Sequence, residues 1–282
     1  METLQTAGIK LPRLGLGTWY LGESAHRENA ELEALRTGID MGVSLLDTAE
    51  MYGDGGAERL LGKAIKPYDR EKLQIVSKVY PHNAGRNRIF QSCENSLRRL
   101  NTEYLDVYLL HWRGSVPLAE TVECMEKLKA DGKIRAWGVS NLDTADMDEL
   151  EAVKDGQNCA LDQVLYHLGS RGIEYDLLPW TQKRGMPVMA YCPLAQGGSL
   201  RRGLLSHPSV KKIAEKYQAS PIQILLAFVL YQKNTIAIPR SGNAAHVKEL
   251  VESQKVTLTQ EDIAFLSQAF PPPSRKTYLD IV

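Results

Sequence analysis

The sequence predicts an α/β fold: a (β/α)8 TIM barrel with an N-terminal β-hairpin before it and a C-terminal helix and tail after it. Three observations carry that expectation. Apolar runs of strand length alternate with helically spaced segments eight times, and no linker divides them. A chain of 282 residues with 43% hydrophobic composition can fill one large core, and a barrel of this kind takes about 250 residues. Several of the apolar runs end on an ionisable or amide side chain, at the edge where parallel barrels do their chemistry. The chain therefore reads as one domain over residues 1–282.

Each element has its own signal. Residues 1–13 hold short alternating segments around Ala7-Gly8, a hairpin suited to plugging one end of a barrel. Leu14-Gly15-Leu16-Gly17-Thr18-Trp19 reads as the first barrel strand, with glycines that allow close packing. A dinucleotide fingerprint fails there, because Tyr20 stands where G-x-G-x-x-G needs its third glycine. Ala30, Leu32, Leu35 and Ile39 give 26–41 helical spacing, and Gly42 ends it. Strand 43–48, helix 56–66, strand 73–79 and helix 86–100 follow. Strand 104–111 leads to helix 117–131, opened by Pro117 and closed at Gly132. Then come strand 134–140, helix 144–154, strand 160–165 and helix 174–184. Strand 187–192 gives way to an irregular loop before helix 220–232, which starts Ser220-Pro221. Strand 235–239 and helix 243–252 complete the eighth unit. Thr259 with the acids Glu261 and Asp262 starts a last helix, and Pro271-Pro272-Pro273 ends it in a stiff tail.

Composition narrows the function. Lys and Arg number 34 and Asp and Glu also 34, so no net field draws nucleic acid or an anionic membrane. Cys93, Cys124, Cys159 and Cys192 are scattered without metal-ligand spacing, which predicts reduced thiols and no metal site. The N-terminus lacks a secretory pattern, and the longest apolar run, Ile222 to Tyr231, is too short to span a bilayer. A soluble cytoplasmic protein is expected.

Three strand ends concentrate the chemistry. Leu45-Leu46-Asp47 ends on a carboxylate, Ile75-Val76-Ser77-Lys78 on an ammonium, and Tyr108-Leu109-Leu110-His111 on an imidazole. Tyr52 follows Asp47 in a Gly-rich loop. A carboxylate in a dry setting needs a cation, and Lys78 is the candidate. A phenol titrates near pH ~10 and is a poor acid at neutrality unless its anion is stabilised. Lys78 could provide that, with Asp47 keeping the ammonium charged. The plainer alternative is a structural Asp47–Lys78 pair with Tyr52 as a loop aromatic. At these spacings the four residues resemble the catalytic tetrad of the aldo-keto reductases, most closely the bacterial members that reduce methylglyoxal. The resemblance covers nearly the whole chain.

That resemblance implies roles for further residues. Tyr52 would be the general acid, Asp47 and Lys78 would tune it, and His111 would orient the carbonyl oxygen. Ser140, Asn141 and Gln163 would hold the nicotinamide carboxamide, groups that can both donate and accept. A serine-nucleophile reading of Ser140 fails, because Leu142 stands where a G-x-S-x-G elbow needs glycine. Tyr191 would stack on the nicotinamide, and the loop holding Pro193, Leu194 and Gln196 would follow the pyrophosphate. Cys192 reads as a small neutral filler. Thr18, Trp19, Asp47 and His246 also fall among the expected cofactor contacts.

Arg240, Ser241 and Asn243 combine a cation, a hydroxyl and a helix start, an anion site, and the resemblance implies that it holds the adenosine 2′-phosphate. His246 stands where many relatives carry a second phosphate-binding Arg, and Leu250 where they carry an adenine-contacting Asn. NADPH is expected as the preferred cofactor, with NADH as a weaker alternative. Trp19, Tyr52, His111 and Trp112 should wall the substrate pocket, with Met51 and the tail around Tyr278 approaching it. The expected partner is a small carbonyl substrate, and the family habit implies a monomer. Two rival readings use the same fold: Lys78 as a Schiff-base amine, which Asp47 disfavours by keeping it charged, and a non-catalytic nicotinamide-sensing barrel.

Overall fold

The computed structural model describes residues 2–282. Strands β1 (Thr3–Thr6) and β2 (Ile9–Pro12) pair antiparallel as the expected hairpin, turning at Ala7 and Gly8, both with positive φ. Eight further strands form one parallel sheet: β3 (Gly15–Gly17), β4 (Leu45–Asp47), β5 (Gln74–Val79), β6 (Leu105–Leu110), β7 (Ile134–Ser140), β8 (Asp162–Leu165), β9 (Val188–Tyr191) and β10 (Thr235–Ala237). They are ordered in sequence from β3 to β10. A parallel bridge from Leu14 to Ala237 and a 2.9 Å bond from the Gly17 N–H to the Pro239 carbonyl join the first strand to the last. The barrel is closed.

Helices α1 (Glu28–Asp40), α2 (Gly56–Ile65), α3 (Ile89–Leu100), α4 (Leu118–Ala130), α5 (Thr144–Ala152) and α6 (Leu177–Lys183) follow β3 to β8 in turn. Beyond β9 come α7 (Gly198–Ser206), α8 (Pro208–Lys216) and α9 (Pro221–Tyr231), and beyond β10 come α10 (Ala244–Glu252) and α11 (Gln260–Ala269). The reading of an irregular loop before α9 is corrected here, since α7 and α8 occupy most of it. Helix α7 buries only Leu204 among glycine, serine and arginine, so it carries almost no apolar period, and Pro208 separates it from α8. Three helix starts have complete capping boxes: Asp143 with Asp146, Ser220 with Gln223, and Thr259 with Asp262. Among the described residues, no helix is long and apolar enough to cross a membrane.

The barrel interior is a core of its own. Leu45, Val76, Val107, Leu109, Leu161, Met189 and Ile236 meet there, each fully buried. Leu11 reaches this core from the hairpin, and the Thr6 hydroxyl donates to the Ala160 carbonyl. The hairpin thus plugs the N-terminal end. Strand side chains alternate between interior and helix layer with a period of two. In β4, Leu45 belongs to the interior core and Leu46 to the outer one.

Candidate active site

Period two explains how the site is assembled. Asp47 follows the interior Leu45 by two residues, Lys78 follows Val76, and His111 follows Leu109. Gln163 likewise follows Leu161, and Tyr191 follows Met189. Each functional side chain is the next interior position after an apolar layer, so all of them converge on the C-terminal mouth. In β7 the preceding interior residue is Gly138. A Cβ there would come within 2.6 Å of the Leu161 carbonyl oxygen and 2.9 Å of the Leu109 side chain, which only glycine avoids.

Lys78 lies fully buried at the centre. Its Nζ donates to both carboxylate oxygens of Asp47 at 2.7 and 2.9 Å, to the Thr48 carbonyl at 2.7 Å, and to the Tyr52 hydroxyl at 3.2 Å. Gln163 Nε2 donates to Asp47 as well, at 2.8 Å. Burial pushes the Asp47 pKa up and the Lys78 pKa down, while the attraction between the two opposes both shifts. The two-oxygen contact is that of an ion pair.

The phenol of Tyr52 is pushed well above its usual range, first by burial and then by the Asp47 charge. The Lys78 ammonium, 3.2 Å from the hydroxyl, does not outweigh these two influences. His111 is driven down to about 2 by burial and then by the Lys78 charge, so its imidazole is neutral at working pH. The Tyr52 and His111 rings meet edge to face with centroids 5.7 Å apart. Trp19 lies 6.4 Å from Tyr52 and Trp112 lies 4.8 Å from His111.

A cleft of about 680 Å³ runs from Asp47, Tyr52 and His111 past Trp19, Met51 and Trp112 to Arg240, Ser241 and His246. Ser140, Asn141, Gln163, Tyr191, Pro193, Leu194 and Gln196 also line it. Several of their polar ends bond to one another or to neighbouring residues. Asn141 Nδ2 donates to the His111 carbonyl at 3.1 Å and to the Ser140 hydroxyl at 3.2 Å, while its Oδ1 accepts from the Tyr191 hydroxyl at 2.8 Å. The Ser140 hydroxyl donates to the Gln163 carbonyl at 2.8 Å, and Gln196 shares a 3.0 Å hydrogen bond with His167.

Two expected contacts are placed elsewhere. Thr18 is fully buried under the cleft, its hydroxyl donating to the Asp47 carbonyl at 3.0 Å, so it buttresses the tetrad. Asn243 caps α10, its side chain accepting from the N–H groups of Ala245 at 2.9 Å and His246 at 3.2 Å. The Ala245 and His246 N–H groups at the helix start are thus already satisfied, while Arg240, Ser241 and His246 line that end of the cleft. Tyr278 is 95% exposed, and the tail reaches the cleft through Ile281 and Val282 instead.

Other lining residues lie outside the sequence reading. Arg201 on α7 faces the cleft, and burial followed by the Arg201 charge holds the Arg240 pKa below its usual value. Among the described residues neither arginine has an ion-pair partner, so the cleft carries two uncompensated cations. The Leu200 and Leu204 spacing around Arg201 was the only available signal for its helix. Arg113 and Glu149 also line the cleft, or pair with a residue that does, through bonds of 3.0 and 2.8 Å to each other.

A closed eight-stranded barrel with a buried Asp–Lys–Tyr–His cluster at its C-terminal mouth defines the class. The sequence model of the Aldo/keto reductase family matches residues 13–269, and the chain belongs to that family. It is 55% identical to methylglyoxal reductase YeaE of Escherichia coli K12 over 282 residues, covering 100% of this chain and 99% of that protein. The crystal structure of an aldo-keto reductase from Klebsiella pneumoniae in complex with NADPH superposes with a TM-score of 0.96. It is 53% identical and covers 100% of this chain and 99% of that one. An NADH-specific methylglyoxal reductase of Escherichia coli K12 is 27% identical over 94% of this chain and 96% of its own length.

Proposed function

We propose that this enzyme reduces small reactive carbonyls, methylglyoxal among them, to alcohols with NADPH. The observation that carries this reading is the Tyr52 hydroxyl, 3.2 Å from Lys78 Nζ and beside a neutral His111, at the floor of an aromatic-walled cleft. The relatives named above reduce methylglyoxal or hold NADPH, and their whole-length match supports the same substrate class and cofactor here.

The residues present fit such a cofactor. Arg201 and Arg240 are uncompensated cations in a largely apolar cleft, as a ligand with several phosphates requires. Arg240 and Ser241 would take the 2′-phosphate. Ser140, Asn141 and Gln163 would take the carboxamide, with Asn141 exchanging its bond to Tyr191 for one to the ligand. Tyr191 would then lie along the nicotinamide face, and Pro193, Leu194 and Gln196 would flank the pyrophosphate. When bound, the nicotinamide supplies a hydride to the carbonyl carbon.

The chain's own residues do the rest. His111, neutral, donates a hydrogen bond that orients the carbonyl oxygen and polarises it. Tyr52 holds its proton across the working pH range, because its pKa is raised, and releases it to the oxygen as negative charge develops there. As the carbonyl carbon gains the hydride, its oxygen becomes a strong base and takes that proton. Lys78, fixed by Asp47, then faces the phenolate that remains. Trp19 and Trp112 keep water from the reacting centre. Following the loss of NADPH absorbance with methylglyoxal tests the reading directly: steady turnover is expected, and none at any substrate concentration overturns it.

A further inference from the structure

Glu50 stands two residues before Tyr52 and is buried, yet it has no part in the chemistry described above. Its Oε1 accepts from the Tyr80 backbone N–H at 2.7 Å and from Asn83 Nδ2 at 3.2 Å. Its Oε2 accepts from the Ser92 hydroxyl on α3. Its own N–H reaches the Lys78 carbonyl at 3.4 Å, extending the β4–β5 pairing by one step. Beyond it the Tyr52 loop turns through Gly53, Asp54 and Gly55, three consecutive residues with positive φ. Backbone bonds from Tyr52 to Ala49, Asp54 to Met51 and Ala57 to Tyr52 set the turn's local shape, and the Glu50 side chain ties its entry to the elements around it. On the other side, the Tyr80 ring packs edge to face on Trp112 with centroids 5.8 Å apart, and Trp112 adjoins His111. One carboxylate therefore ties the loop that carries the acid to the turn that supports the opposite wall of the pocket.

We propose that Glu50 is a positioning residue for the reduction, fixing the spacing between Tyr52 and the His111–Trp112 wall. The proposal rests on the reading of Tyr52 as the acid. Its requirement is for span and not for charge, since a glutamate has the length to meet Tyr80 and Asn83 with one oxygen and Ser92 with the other. Glutamine keeps that length. Its oxygen can serve Tyr80 and Asn83 while its amide donates to Ser92 Oγ. Ser92 can then turn its proton to the Tyr108 hydroxyl, which is buried without a partner. Aspartate keeps the charge but cannot reach both groups.

The test compares Glu50→Asp and Glu50→Gln in the full-length enzyme. It measures kcat, KM, NADPH affinity by fluorescence titration, and melting temperature. For Glu50→Asp, kcat is expected to fall about 10- to 100-fold with NADPH affinity unchanged, the cost of a displaced acid. Glu50→Gln is expected to recover most of that loss. A wild-type kcat in Glu50→Asp overturns the proposal. So does equal impairment in both variants, which would make charge the requirement. If Glu50→Asp does not fold, the double variant Asn83→Ala, Ser92→Ala removes two of the three donors and is expected to show the same isolated fall in kcat, an unchanged kcat counting against the proposal. A Tyr52→Phe control that keeps its turnover would instead discard the acid assignment itself.

Discussion

The hydroxyl of Tyr52 lies 3.2 Å from the Nζ of Lys78, and Asp47 holds that ammonium through both of its carboxylate oxygens. In the proposed reading this phenol is the proton source, with His111 neutral and Lys78 engaged by Asp47. Tyr52→Phe is expected to lower kcat by about 10²–10⁴-fold, the usual worth of a positioned acid, and to leave NADPH affinity intact. Single-turnover kinetics and a fluorescence titration separate the two. Lys78→Met goes further, because it strands Asp47 in a dry site. Breaking a buried pair in this way costs about 3–5 kcal/mol, so a lower melting temperature should accompany the lost activity.

The pH profile follows from the same two groups. His111 titrates near about 2, and Tyr52 is pushed well above its ordinary value by burial. Reduction needs a protonated phenol, so its rate is lost only as pH rises through the Tyr52 pKa. Between about pH 5 and 9, where an unshifted histidine would titrate, kcat/KM for reduction is expected to be flat. A limb near neutrality in that profile would mean that His111 ionises during turnover.

Arg240 and Arg201 should separate by cofactor. Arg240 with Ser241 lies at the end of the cleft assigned to the 2′-phosphate, which NADH lacks. Arg201 lines the cleft together with the loop after β9, where the pyrophosphate common to both cofactors is expected. Each substitution removes a charge-assisted bond of about 1.5–3 kcal/mol, or roughly 10- to 100-fold in affinity. Arg240→Gln should weaken NADPH and spare NADH, whereas Arg201→Gln should weaken both alike. Titration of each variant with both cofactors checks the pattern.

Asp47, Lys78 and His111 were legible because they depend only on strand period and strand order, whereas Tyr52 lies in the turn after β4 and was picked out by its spacing from Asp47. An ionisable residue two places beyond an interior aliphatic, as Lys78 stands to Val76, must face the barrel mouth. What was not legible depends on competition between partners. Asn243 has the chemistry of a phosphate ligand and of a helix cap, and only the backbone geometry shows that Ala245 and His246 claim its oxygen. Lys78 has the charge to acidify Tyr52, but the field it exerts depends on how fully Asp47 neutralises it. Arg201 was hidden because α7 buries a single leucine and its Leu200–Leu204 repeat covers only one turn, too short to mark a helix.

Asp162 offers a test of stability away from the chemistry. It opens β8, next to the inward-facing Gln163, so it points to the helix layer, where it is fully buried. Neither of its oxygens has a hydrogen-bond partner of ordinary geometry. Burial raises its pKa well above the usual carboxylate range, the nearby N–H groups of Leu142 and Gln163 offset this only in part, and Asp143 and Asp146 add to it. A carboxyl that holds its proton more tightly when folded than when unfolded favours the folded state at low pH. That contribution is lost as pH rises from about 4, the unfolded value, towards the folded pKa. Asp162→Asn keeps the shape and removes the ionisation. Its melting temperature relative to the parent enzyme should therefore increase from about pH 4 to about pH 8. A difference that stays constant across that range would show that Asp162 is equally ionised in the folded and unfolded chains.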